Sequence, residues 1–199
     1  MKHPAAKGNR WEDHYTRLAR KERYPARSVY KLQELQKRFA IIRKGDAVLD
    51  LGCAPGSWTI HAAELTGPAG HVVGIDLTPV GGLPPQAVAH VKDVFSLVEN
   101  PGEFFGRSFD VVLSDMAPST TGSRGVDAAR SYNLCEAALA IAGQVLRPGG
   151  NFVCKIFQGD DFKTFTEAVK SGYQECKIFK PQSSRKASKE IYLIGKGRK

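Results

Sequence analysis

Apolar residues come in short runs separated by longer amphipathic stretches, and this alternation recurs from about residue 46 onward. Short apolar runs bounded by Gly, Pro or Asp read as strands, whereas a 3.6-residue period over ten or more positions reads as helix. Seven strand candidates follow, at 46–51, 70–76, 88–91, 109–114, 150–157, 174–179 and 190–194. Helical patterns lie near 57–66, 96–105, 124–147 and 160–171, the third ending in Arg147-Pro148-Gly149-Gly150, a stop-and-turn signal. Ahead of the first strand, Ser28 is placed to cap a helix through Val29, Leu32, Leu35 and Phe39, and Gly45 closes the connection. Further upstream, Trp11, Tyr15, Leu18 and Tyr24 interrupt a run of charges at spacings that suit a short amphipathic helix. The first eight residues read as disordered.

Strands that alternate with helices of this length need crossover connections. The expected fold is therefore α/β: a seven-stranded, mostly parallel sheet with helices on both faces and ligands at the strands' carboxyl ends. The connection from Lys180 to Ser188 is too short and polar for a crossover helix, so the last two strands should form an antiparallel hairpin.

At 199 residues the chain suits one domain, 1–199, able to bury roughly 70% of its unfolded surface. With no run of eighteen apolar residues and no apolar segment behind the basic N-terminus, neither a membrane span nor a signal peptide is expected, and the chain reads as cytoplasmic. The four cysteines form no Cys-x-x-Cys pair and the five histidines do not cluster near them, so reduced packing cysteines and no metal site are expected. The net charge of +9 is polarised: residues 1–44 hold 13 basic and 4 acidic side chains, residues 45–154 hold 5 and 11, and residues 177–199 hold 8 and 1. A near-acidic core between basic ends suits a polyanion such as nucleic acid, with 1–44 as a basic arm and helix; solubilising tails would leave the same counts.

Candidate chemistry sits where strands end. Asp50-Leu51-Gly52-Cys53-Ala54-Pro55-Gly56-Ser57-Trp58 follows an apolar run and enters a helix through glycines that let bare backbone approach a ligand. Twenty residues after Gly56, Asp76 ends the next strand with the two acceptor oxygens a ribose diol needs. A dinucleotide fingerprint would carry three glycines and an amide where Pro55 has none, and Asp50 would repel a pyrophosphate. The same carboxylate suits the ammonium group of S-adenosylmethionine, directly or through water, which favours that cofactor over NAD.

Each further candidate has a plainer reading beside the functional one. Asp93 is placed to accept from an adenine amino group or to cap a helix, and the two roles coexist. Trp58 either covers the cofactor or packs on the sheet. Asp115, in Ser114-Asp115-Met116-Ala117-Pro118, closes a buried strand and would face the transferred methyl. Lys155 interrupts an apolar strand read as internal, where its ammonium needs a partner; a lysine guarding a sheet edge is the competing reading.

Tyr30-Lys31-Leu32, the turn from Asp50 to Trp58, Ser114 to Pro118, Lys155-Ile156-Phe157-Gln158-Gly159 and Ser183 to Tyr192 together resemble the RrmJ/FtsJ ribosomal RNA 2′-O-methyltransferases, from about Arg27 to Lys199. The resemblance implies a Rossmann-like methyltransferase fold and a Lys-Asp-Lys-Glu tetrad on Lys31, Asp115, Lys155 and Glu190. It also implies S-adenosylmethionine contacts from Gly56, Trp58, Asp76, Asp93 and Asp115, beside Asp50 and Gly52 of the turn. Ser57 stands where the family has a second glycine, a change tolerable at a helix start. Without the resemblance, Lys31 reads as an exposed helix lysine beside Glu34, and Glu190 as a partner of Lys189 or Arg185. The implied acceptor is a uridine in large-subunit ribosomal RNA, presented on the assembled subunit to an enzyme acting as a monomer, with Trp11 and Tyr15 available to stack on bases. Transfer RNA anticodon loops are the alternative acceptor. A non-catalytic RNA-binding module would have no reason for a lysine on an internal strand, and an NAD-dependent oxidoreductase would want three glycines.

Overall fold

The computed structural model describes residues 10–199 apart from Lys186, with side chains from His14 onward. The disorder expected of the first eight residues and the stacking role of Trp11 lie outside the described residues. One sheet holds β1 Ala47–Leu51, β2 His71–Asp76, β3 Ala87–Val91, β4 Phe109–Ser114, β5 Leu146–Phe157, β6 Tyr173–Phe179 and β7 Glu190–Arg198. Its order is β3-β2-β1-β4-β5-β7-β6. The strands from β3 to β5 in that order run parallel, and β7 enters antiparallel between β5 and β6. All seven expected strands are present, β5 is internal, and β6 and β7 pair antiparallel as their short connection requires.

Among the described residues six α-helices accompany the sheet: α1 Arg10–Lys21, α2 Val29–Phe39, α3 Ser57–Thr66, α4 Pro101–Phe105, α5 Arg124–Val145 and α6 Phe162–Gly172. On one face Leu32 and Leu35 of α2 and Trp58 and Ala62 of α3 pack with Val48, Val72, Val111, Val153 and Ile194. On the other, Ile141 and Val145 of α5 and Phe165 and Val169 of α6 pack with Leu49, Val112, Phe152 and Leu193. Successive strand residues point to opposite faces, so β4, covered on both, is buried at every position. The second helix of the basic segment thus belongs to the core layer. The peripheral α1 is docked by Tyr15, Leu18 and Ala19 on Val29 and Tyr30.

Three local expectations change. Residues 96–105 are not one helix: the Asp93 side chain caps a 3-10 turn over Val94–Leu97, and Pro101, lacking an amide, opens the separate α4. Arg147 to Gly150 does not end the element before it. The helix stops at Val145, and these residues form a bulge inside β5, between Leu146 opposite Phe109 and Asn151 opposite Val111. Ser28 precedes α2 with helical backbone angles of its own, and its side chain makes no capping hydrogen bond.

Candidate active site

Strand order reverses beside β1, with β2 and β3 to one side and β4 onward to the other, which is where open α/β sheets leave a crevice. A cavity of about 460 Å³ opens there, walled by Gly52, Asp76, Leu77, Asp93, Phe95 and Asp115 among others. At Gly52 φ is +80° and a Cβ would lie 2.5 Å from Met116 Cγ; at Gly56, which opens α3, φ is +109° and a Cβ would lie 2.8 Å from Val80 Cγ1. Both positions demand glycine, and Gly56 supports the turn from outside the cavity wall. Asp76 accepts from the Ala54 amide at Oδ2 and from the Thr78 amide at Oδ1, both at 2.9 Å. These bonds fix its carboxylate and leave lone pairs for a diol. Asp93 accepts from the Phe95 amide at 3.0 Å, so it caps the 3-10 turn while also walling the cavity.

Asp50 is fully buried beneath the turn. Its Oδ2 accepts the Thr59 hydroxyl at 2.7 Å, and its Oδ1 has no partner among the described residues. Burial pushes this carboxyl up to about 7; the Thr59 hydroxyl opposes the rise, and the neighbouring Asp115 and Asp76 add to it.

Across the cavity the polar groups come in ion pairs. Lys155, 6% exposed, lies 3.0 Å from Asp115 Oδ1 and donates to the Asp115 carbonyl at 2.6 Å. The register sets Lys155 opposite Tyr192 and Phe157 opposite Glu190, so all four share one sheet face, the face that α2 covers. Tyr192 donates its hydroxyl to Asp115 Oδ1 at 2.6 Å, and Lys31 of α2 pairs with Glu190 at 2.8 Å. Burial would raise the Asp115 carboxyl, yet Lys155, Lys31 and the Tyr192 hydroxyl overcome it and hold it below the usual carboxylate range. An ammonium nitrogen carries three hydrogens, and Asp115 takes two of those directions at Lys155. One direction remains for an incoming group.

The FtsJ-like methyltransferase profile matches residues 24–198. The chain belongs to the FtsJ-like methyltransferase family. A relative from Desulforapulum autotrophicum, named ribosomal RNA large subunit methyltransferase E, is 63% identical over 194 residues, 97% of this chain and 96% of its own length. A relative of the same name from Bdellovibrio bacteriovorus is 44% identical over 192 residues, 94% of this chain and 97% of its own. Among solved structures, a Plasmodium falciparum chain described as a ribosomal RNA methyltransferase matches with a TM-score of 0.75 at 26% identity, over 88% of this chain and 98% of that one. The FtsJ-like chain is thus an enzyme of the methyltransferase class on the seven-stranded Rossmann-like sheet.

Within this FtsJ-like frame some expected residues sit elsewhere. Trp58 is 3% exposed, stacks on Tyr192 at 5.9 Å and donates to the Ser28 carbonyl at 2.8 Å; it is core between α2 and α3 and does not wall the cavity. Tyr15 is half-buried, its ring packed on Tyr30 at 5.2 Å and under the Arg27 guanidinium at 5.5 Å. Glu34 does not pair with Lys31; its oxygens accept the Gln182 and Ser183 amides at 2.7 and 2.8 Å. Two contributors had no assigned role in the sequence reading. Tyr192 stands two positions after Glu190 on one strand face, a signal that a period of two would have given. Thr59 has no pattern that marks it out.

Proposed function

We propose that this enzyme methylates the ribose 2′-hydroxyl of a uridine in large-subunit ribosomal RNA, on the assembled subunit in the cytoplasm, using S-adenosylmethionine. The observation that carries the reading is Lys155, buried on an internal strand and tied to Asp115 at the edge of the glycine-turn cavity. The residues present fit the cofactor. Gly52 and Gly56 hold the turn at two positions that admit no side chain, Asp76 offers paired acceptors to a ribose, and Asp93 and Phe95 offer an adenine an acceptor and an apolar surface. The unpartnered Asp50 Oδ1 suits an ammonium group. When bound, S-adenosylmethionine supplies an electrophilic sulfonium methyl group.

Asp115, itself held by the Tyr192 hydroxyl, fixes Lys155 in one orientation, so its remaining direction selects where an acceptor hydroxyl sits. That hydroxyl is either oriented by the ammonium or deprotonated at Nζ by the neutral amine, and the pH profile of kcat separates the two. Alignment of bound reactants is worth roughly 7 to 11 kcal/mol, and base assistance about a hundredfold to ten-thousandfold. Positioning therefore dominates and proton removal refines it. Lys31 and Glu190 complete the ionic wall on the acceptor's side. RNA as acceptor is supported by the basic ends of the chain and by the relatives' names.

Labelled methyl transfer to large ribosomal subunits, naked ribosomal RNA and transfer RNA tests the reading. Transfer to the subunit, with the label recovered as 2′-O-methyluridine, is expected; label on transfer RNA alone would overturn the acceptor. S-adenosylmethionine at a hundred times its dissociation constant should stabilise the protein by about 2.7 kcal/mol, and NAD should not.

A further inference from the structure

We propose that a notch beside the tetrad binds an internucleotide phosphate of the RNA strand, a reading that rests on the function proposed above. The notch, about 230 Å³, lies between the start of α2 and the loop joining β6 to β7. Arg27, Lys31 and Arg185 line it against a single carboxylate, Glu190, which Lys31 already neutralises. Its other lining residues are serines. No apolar side chain lines it among the described residues, so a base would find nothing to stack on, whereas a phosphodiester needs cations and hydroxyl donors.

Ser183 supplies the independent observation. It lines the notch and is 1% exposed. Its amide donates to Glu34 Oε1 at 2.8 Å and its carbonyl accepts from the Arg27 guanidinium at 2.7 Å, so its backbone is held from both ends. Its hydroxyl alone has no hydrogen-bond partner among the described residues. A buried hydroxyl without a partner is costly, and one fixed this firmly in the wall of a cationic notch reads as a donor kept for an anion. Ser28 adds the N-terminal end of α2, whose dipole favours negative charge. The inner wall is the Lys31–Glu190 pair, so a phosphate seated here holds the strand beside the ribose that meets Lys155.

The test compares Ser183→Ala and Arg185→Gln with wild type in methyl transfer to unmethylated large ribosomal subunits over a salt series. Each variant should raise KM for the subunit about tenfold, with kcat at saturation and S-adenosylmethionine affinity unchanged. For Arg185→Gln the slope of log affinity against log salt should fall by about 0.7 to 0.9, the share of one phosphate. Ser183→Ala removes an unpartnered buried hydroxyl, so unfolding of the free enzyme should occur at the same temperature or higher. A lower unfolding temperature with unchanged KM would mark Ser183 as structural and overturn the site. An active wild type whose variants keep its KM and salt slope overturns the notch alone; a wild type inactive on every RNA removes the functional reading and the notch with it.

Discussion

The two sides of the site treat their carboxylates differently. On the β1–β2 side, Asp50 is met by the Thr59 hydroxyl and Asp76 by the backbone amides of Ala54 and Thr78. On the β4–β5–β7 side, Asp115 and Glu190 are each met by a lysine from another element. Burial acts upward on Asp50 and Asp115 alike, yet Asp50 is pushed up to about 7 while Asp115 is held below the usual range. What decides the sign is whether a cation lies within reach. One wall is left favouring a positively charged ligand, and the other is balanced before any ligand arrives.

Lys155→Met breaks the balanced wall and should show the largest effect. Its kcat should fall by about a hundredfold to ten-thousandfold, while S-adenosylmethionine affinity measured by calorimetry stays at the wild-type value. Because Asp115 loses its nearest cation, the unfolding free energy should also drop by about 3 to 5 kcal/mol. Adding Asp115→Asn should recover stability without turnover, and wild-type turnover in the single variant would refute the assignment. Gly52→Ala strikes the opposite wall, where a left-handed backbone and the Met116 side chain both resist a methyl group. Cofactor binding should weaken roughly ten- to thirtyfold in titrations, with KM for RNA unaffected.

Smaller changes sharpen the contrast. Tyr192→Phe removes one donor to Asp115 and should lower kcat about tenfold with cofactor affinity intact. On the other wall, an ammonium prefers the ionised Asp50, so cofactor affinity should rise about twofold from pH 7 to pH 8. Asp50→Asn should flatten that dependence. Stability of the free enzyme runs the other way for this group. Folding raises its pKa, so its contribution is fully present below the unfolded value near 4 and is lost as pH rises through about 7. The Asp115 contribution, with a lowered pKa, is present above the unfolded value near 4 and is lost as pH falls below it. The pH dependence of unfolding should therefore depart from wild type between about pH 4 and 7 in Asp50→Asn, and below about pH 4 in Asp115→Asn.

The sheet was legible because apolar runs mark strands wherever both faces are covered, and the cavity lining of Gly52, Asp76 and Asp93 because these residues follow strand ends. The ionic wall was not legible from spacing. Lys31 has Glu34 within helical reach, and only the folded loop, by drawing Glu34 to the Gln182 and Ser183 amides, frees Lys31 for Glu190. Family resemblance placed Lys31 and Glu190 in one tetrad but did not pair them, and helical spacing favoured Glu34 as the partner of Lys31. Trp58 was ambiguous because an aromatic at a helix start suits either ligand or core; in the fold its ring stacks on Tyr192 and donates to the Ser28 carbonyl just before α2. Pro101 and the bulge at Arg147 to Gly150 show the limit on boundaries, since a proline can open a second helix and a Pro-Gly pair can sit inside a strand.

The grip of Glu34 on the loop amides has a mechanical corollary. Lys31 and Glu34 stand one turn apart on α2, about 4.5 Å along its axis, so one rigid rod carries both a tetrad member and the anchor of Ser183. Any sway of that rod displaces the two together, like the fixed jaw of a calliper, and the gauge between them persists while the nucleic acid shifts.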